Sequence, residues 1–134
     1  MKLLLSWLRD HLDGAADADT LAARLTDLGF LVEVREPVGD DESWDVEINT
    51  NRPDAMSHRG LAREAAAAGA GALRELTATV EEGATPADRL AAVRVEDQAG
   101  CPRYCARVIR GVRIAPSPSW LAERLERCGV RPIN

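Results

Sequence analysis

The 134-residue chain reads as an α+β protein: a small helical domain carrying a β-hairpin, followed by the beginning of a second α+β unit. Three observations predict this. Leucines recur at helical spacing from Leu5 to Leu28. The period then switches to two, with Val32 and Val34, then Trp44, Val46 and Ile48, alternating with charged residues. After a stretch rich in Ala, Gly, Thr and Glu from Gly69 to Arg89, the alternation resumes and ends in one more leucine-spaced helix.

Each element has a local reason. Leu5, Leu8 and Leu12 define a short helix over Trp7–Leu12, with Ser6 as its cap and a stop at Asp13-Gly14. Asp19 is placed to cap a second helix whose Leu21, Leu25 and Leu28 share one face. Gly29 stands where a left-handed C-terminal cap is expected. Phe30–Glu36 is a half-buried strand, Gly39-Asp40-Asp41-Glu42 a polar turn, and Trp44–Asn49 the returning strand of a hairpin. Asn51-Arg52-Pro53-Asp54 breaks the pattern. Ser57 caps a third helix, His58–Ala68, ended by Gly69; its Leu61, Ala65 and Ala68 form a narrow face suited to close packing.

Residues 71–90 are expected to be a linker, with a short extended stretch near Leu76–Val80. Ala92–Val95 and Tyr104–Ile114 alternate as strands would, and Ser117-Pro118 opens a last helix because proline fits a first helical turn. Leu121, Leu125 and Cys128 line that helix, Gly129 ends it, and Arg124 and Arg127 alternate with Glu123 and Glu126 as helical ion pairs on a solvated face. Two strands and a helix in so few residues bury too little apolar surface to stand alone. Either the unit over residues 91–134 docks on the first domain, or it is incomplete and the natural chain continues; continuation is the expectation.

Composition narrows the function. A net charge of −5 and scattered arginines give no basic stripe, against an autonomous nucleic-acid binder. Aromatic residues are only 4%, too few for a base-stacking platform. The apolar run at Leu3–Leu5 is broken by Arg9 and Asp10, so it is neither membrane span nor signal peptide. Three cysteines, Cys101, Cys105 and Cys128, suit free thiols in a reducing cytoplasm.

The segments resemble, in order and along nearly the whole chain, the β subunit of bacterial-type phenylalanyl-tRNA synthetases. The opening Met1-Lys2-Leu3-Leu4-Leu5-Ser6-Trp7-Leu8-Arg9 and the step from Leu21 through Gly29-Phe30-Leu31-Val32-Glu33 are the first matches. The most specific block is Glu47-Ile48-Asn49-Thr50-Asn51-Arg52-Pro53-Asp54 with Ser57-His58 and Gly60-Leu61-Ala62-Arg63-Glu64. Cys101-Pro102-Arg103-Tyr104, Ala106–Val112, Pro116–Leu121 and Gly129-Val130-Arg131-Pro132-Ile133-Asn134 complete the set. The resemblance implies a winged-helix-like N-terminal domain over residues 1–70 and the start of an editing domain (B3/B4-like) over 91–134. It implies ATP- and magnesium-dependent attachment of phenylalanine to tRNA by an α2β2 assembly, with an α subunit and tRNA as partners, no membrane, and a structural and subunit-contact role for this stretch. The family usually carries an OB-fold tRNA-binding module between the two hairpin strands; here only Gly39-Asp40-Asp41-Glu42 remains, through natural loss or removal.

Candidate residues are few. Arg52 is a candidate contact to tRNA or the partner subunit, set against a plain role in the turn before the third helix. The resemblance makes Arg131, and more weakly Asn134, editing-pocket candidates, a guanidinium being suited to carbonyl or phosphate oxygens. His58 lacks a nucleophile in any recognisable motif and reads as a packed histidine. His11 reads the same way, at a helix end that favours a cation. A C-x3-C pair with one distant cysteine lacks the paired short spacings of a zinc site, and Cys128 reads as a small core residue. No catalytic residue and no metal site is assigned, and the chain alone is expected to be inactive. Two rivals are a free-standing RNA- or protein-binding paralogue and a small trans-editing hydrolase.

Overall fold

A computed structural model describes residues 1–133, so Asn134 lies outside the described residues. The chain divides into two compact units, Met1–Leu76 with the segment from Pro116 onward, and Thr77–Ala115.

In the first unit, β1 (Lys2–Leu4) runs into α1 (Leu5–Arg9); β2 (Leu12–Asp13) and α2 (Ala18–Asp27) follow. The hairpin is β3 (Val32–Val38) and β4 (Asp41–Val46). A 3-10 turn at Pro53–Ala55 precedes α3 (His58–Ala67), and β5 (Ala72–Leu73) and α4 (Ser119–Arg127) complete the unit. The sheet is antiparallel in the order β1-β4-β3, with Leu3 opposite Trp44 and Arg35 opposite Trp44 on the other side. A register shift between Val32 and Val34 marks a bulge at the start of β3. The hairpin turn closes on Gly39 at φ 65°, a conformation glycine adopts without steric cost.

Several boundaries differ from the sequence reading. The sequence reading assigned no element to Lys2–Leu4, since a three-residue apolar run cannot show by its own pattern whether a strand will find it. Leu5, not Trp7, begins α1, and its N-cap, Leu4, makes no side-chain cap. Asp17 rather than Asp19 caps α2, its carboxylate accepting from the Thr20 amide at 2.9 Å. Ser57 caps α3 as expected, its hydroxyl accepting from the Gly60 amide at 3.0 Å.

The core lies between the sheet and helices α1–α3. Trp44, Phe30, Leu3, Leu8, Leu21, Leu25, Leu61 and Val46 are all fully buried there, with Ala62 and Ala65 letting α3 approach closely. Each large side chain removed from water contributes about 1.5–3 kcal/mol before entropy is charged. Alternation sends Leu4 and Ser43 to the other face of the sheet, where the Ser43 hydroxyl donates to the Arg127 carbonyl at 3.5 Å.

The unit Thr77–Ala115 contains no strand, only a 3-10 turn at Ala87–Arg89. The expected strands Ala92–Val95 and Tyr104–Ile114, and the extended stretch Leu76–Val80, are not formed as sheet. The physical reason is pairing: alternation supplies side chains for a strand but not the neighbour that satisfies its backbone. Ile109, Val112 and Ile114 are accordingly 79%, 74% and 87% exposed, so this unit lacks the burial that holds the first one.

Candidate functional site

Two clusters of polar and aromatic side chains stand out in the first unit. One is built on the most specific sequence block. Pro53 opens a 3-10 turn, and Ser57 then starts α3, so Arg52, Asp54, Arg63 and Glu64 converge. Arg52 Nε donates to Asp54 Oδ1 at 3.1 Å, and its Nη2 reaches Asp54 Oδ2 at 3.0 Å and Glu64 Oε1 at 2.8 Å. Arg63 also donates to Asp54. The Arg52 guanidinium lies 5.1 Å over the ring of buried Phe30. Hydrogen bonding to Arg52 holds the Asp54 carboxyl below its ordinary value and raises the Arg52 guanidinium. Gly60 packs into the same turn: a methyl group there would sit 2.3 Å from the Asp54 carbonyl oxygen and 2.9 Å from Ala55 Cα. Arg52, the candidate tRNA or subunit contact, is thus held within the domain by two carboxylates and a ring.

The second cluster joins α1, α3 and α4. The Trp7 and His58 rings stack with centroids 4.1 Å apart and planes at 25°. Arg124 lies 5.1 Å over the other ring partner, Trp7, and its guanidinium pairs with Asp10. His58 Nε2 accepts from the Leu4 amide at 3.0 Å, which places the ring proton on Nδ1. Burial, then the positive charges of His11 and Arg124, lower His58 to about 4, and its place in the first turn of α3 disfavours the cation further. Cys128 Sγ lies 3.9 Å from His58 Nε2. Burial raises the Cys128 thiol. Both shifts favour neutral thiol and neutral imidazole, the reverse of the thiolate–imidazolium pair that a nucleophilic cysteine needs. Nε2 already accepts from Leu4, so this contact does not assemble an acid–base pair.

His11 corrects its sequence reading. It sits beyond α1, but burial and then Arg59, with Arg124 and Arg74, outweigh Asp10 and lower its pKa. The helix end therefore does not stabilise the His11 cation. Arg124 and Arg127 are corrected too: they pair with Asp10 and Asp40, not with Glu123 and Glu126, because α4 turns this face toward the N-terminal elements. Cys128 is half-buried beside His58 rather than inside the core. Sequence reasoning missed the stack itself; the only trace of it is a tryptophan on a helix whose other apolar positions are leucines.

Leu5, Ser6, Arg9, Asp10, Gly39, Asp40, Asp41 and Glu42 line an open concavity of about 610 Å³. Asp10 and Asp40 are paired with arginines, and Asp41 accepts from the Ser6 amide and hydroxyl at 3.0 and 2.6 Å. Among the described residues no group of three or more His, Cys, Asp or Glu is placed to hold a metal ion. Arg131, the editing-pocket candidate, is exposed beyond α4, while Asn134 lies outside the described residues. Among the described residues no helix is long and apolar enough to cross a membrane.

Residues 100–134 match the B3/4 domain family. No solved structure matches the chain. The phenylalanine–tRNA ligase β subunit of Anaeromyxobacter dehalogenans is 48% identical over 95 residues, covering 71% of this chain and 12% of that protein. The β subunit of Novosphingobium aromaticivorans is 46% identical over 97 residues, 72% of this chain and 12% of its own length. That of Rhodopirellula baltica is 39% identical over 128 residues, 96% of this chain and 19% of its own length. The chain thus spans less than a fifth of the curated relatives it matches. By sequence, the chain belongs to the phenylalanine–tRNA ligase β-subunit family, of which it represents one short stretch.

Proposed function

We propose that this chain serves as the N-terminal portion of a phenylalanine–tRNA ligase β subunit. Its role is structural and subunit-contacting, and it leads into the editing domain without catalysing a step itself. The observation that carries the proposal is the identity of 39 to 48% over most of this chain, confined to a small share of each relative. The local chemistry supports it. The residues of the most specific motif are spent on one another, as ion pairs, a helix cap and a tight glycine contact. The one thiol–imidazole approach is held in its unreactive protonation state.

The hairpin turn supports the absence of a tRNA-binding module. On this reading ATP, magnesium, tRNA and the α subunit belong to the complete assembly, located in the reducing cytoplasm that suits three free cysteines. Arg131 is the side chain this stretch offers to the end of an aminoacylated tRNA.

Two experiments test the proposal. The purified chain is expected to show no phenylalanine-dependent ATP–pyrophosphate exchange and no hydrolysis of tyrosyl-tRNA; turnover in either assay overturns it. A β subunit whose corresponding stretch is replaced by this chain is expected to assemble with its α subunit and charge tRNA. Failure to assemble, with this stretch folded, removes the subunit-contact role. Salt-dependent tRNA binding by the chain alone would favour an RNA-binding paralogue instead.

A further inference from the structure

We infer that α4 is a detachable latch: an arginine-bearing helix held on the N-terminal elements by polar contacts, covering the Trp7–His58 face and able to leave it without unfolding the core. Four observations lead there. First, α4 contributes no buried residue, although the helices beneath it bury leucines throughout. Second, its charged groups hold it by ionic, cation–π and hydrogen-bonded contacts, while its apolar Leu121, Ala122 and Leu125 are only half-buried. Arg124 pairs with Asp10 and covers Trp7, Arg127 Nη1 lies 3.6 Å from Asp40, and the Arg127 carbonyl accepts from Ser43.

Third, the two carboxylates come from distant segments, the end of α1 and the β3–β4 turn, yet meet arginines three positions apart on one helix face. Gly39 permits this approach, since a side chain there would begin 3.3 Å from the Arg127 guanidinium. Fourth, α4 lies inside the stretch matching the B3/4 domain, whereas Asp10, Asp40, Trp7 and His58 lie outside it. The contact therefore bridges the N-terminal elements and the domain α4 belongs to, through interactions that salt screens and water readily replaces.

A nine-residue helix is marginal in water on its own, so leaving the surface melts α4. Amide hydrogen exchange of the full 134-residue chain reads this directly. The Cys128 and Val130 amides, bonded to Arg124 and Leu125 carbonyls, report α4; the Phe30 and Leu61 amides, bonded to Leu25 and Ser57 carbonyls, report the core. Raising salt from about 0.1 M to about 1 M shortens the screening length from about 10 to about 3 Å. That change, and separately Asp10→Arg or Arg124→Asp, is expected to speed α4 exchange about tenfold while the core amides hold. The charge-swapped double variant should restore the slow rate. Unchanged α4 exchange in both single variants overturns the latch. So does faster exchange of α4 and core together, which would make α4 part of the cooperative fold.

Discussion

Gly60→Ala puts the packing of the most specific motif to a quantitative test. In an exposed helix interior this change stabilises by about 1 kcal/mol, because glycine carries the larger backbone entropy. At this position the added methyl would stand 2.3 Å from the Asp54 carbonyl oxygen and 2.9 Å from Ala55 Cα, both backbone atoms that cannot rotate away. Overpacking of this kind costs about 1–3 kcal/mol, and contact this close belongs at or above the top of that range. Relief requires moving the turn Pro53–Ala55, which carries Asp54 and its bonds to Arg52 and Arg63. We therefore expect a net loss of about 2 kcal/mol. Urea unfolding followed by tryptophan fluorescence would show it: with a slope near 1 kcal/mol per molar, the midpoint falls by about 2 M. Gly83→Ala is the control, since nothing lies within 4 Å of its added methyl. A Gly60→Ala midpoint equal to or above that of the parent chain would refute the close-contact argument.

Three further outcomes are expected. Because the folded-state pKa of His58 is about 4 against an ordinary 6.5, the unfolded chain binds this proton first as pH falls. Stability should be unaffected above pH 6.5 and decline toward pH 4, by about 2 kcal/mol after discounting for partial exposure. His58→Gln should flatten that slope between pH 6.5 and 5, above the range where Asp17, Glu42, Asp45 and Asp54, all lowered, begin to add losses of their own; His11, also lowered, retains a smaller share. An unchanged slope in the variant would assign the effect elsewhere. Ser57→Ala removes the hydroxyl that accepts from the Gly60 amide and should cost about 1 kcal/mol by urea unfolding, with Ser57→Thr largely preserving stability. With a chromogenic disulfide reagent, exposed Cys105 should react first and Cys128 about tenfold or more slowly until denaturant is added, since burial raises its thiol beside His58.

Much of the first unit was legible in order because its signals are local. The period-three-to-four leucines marked α2, whose Leu21 and Leu25 are fully buried, and the period-two stretch marked a hairpin whose Trp44 and Val46 face the core. Ser57 announced α3, and Gly29 and Gly69 ended their helices at positive φ. Proline and aspartate before α3 suggested a turn, and the family motif singled out Arg52 without revealing that Asp54, Glu64 and Phe30 hold it.

Pairing was decided only in three dimensions. Whether Lys2–Leu4 becomes a strand depends on a free edge of β4, and whether Tyr104–Ile114 does depends on a neighbour that residues 77–115 do not supply. Likewise, Arg124 and Arg127 carry the same charge whether they meet Glu123 and Glu126 or Asp10 and Asp40. Only the docking of α4 selects between them. The periodicities, the Ser57 cap and the family of this chain were readable along the chain, since each is written in residues close together. The tertiary structure decided which strands are paired, which arginines are neutralised, and that His58 and Cys128 rest as neutral neighbours, because desolvation and ion pairing depend on what folding brings alongside.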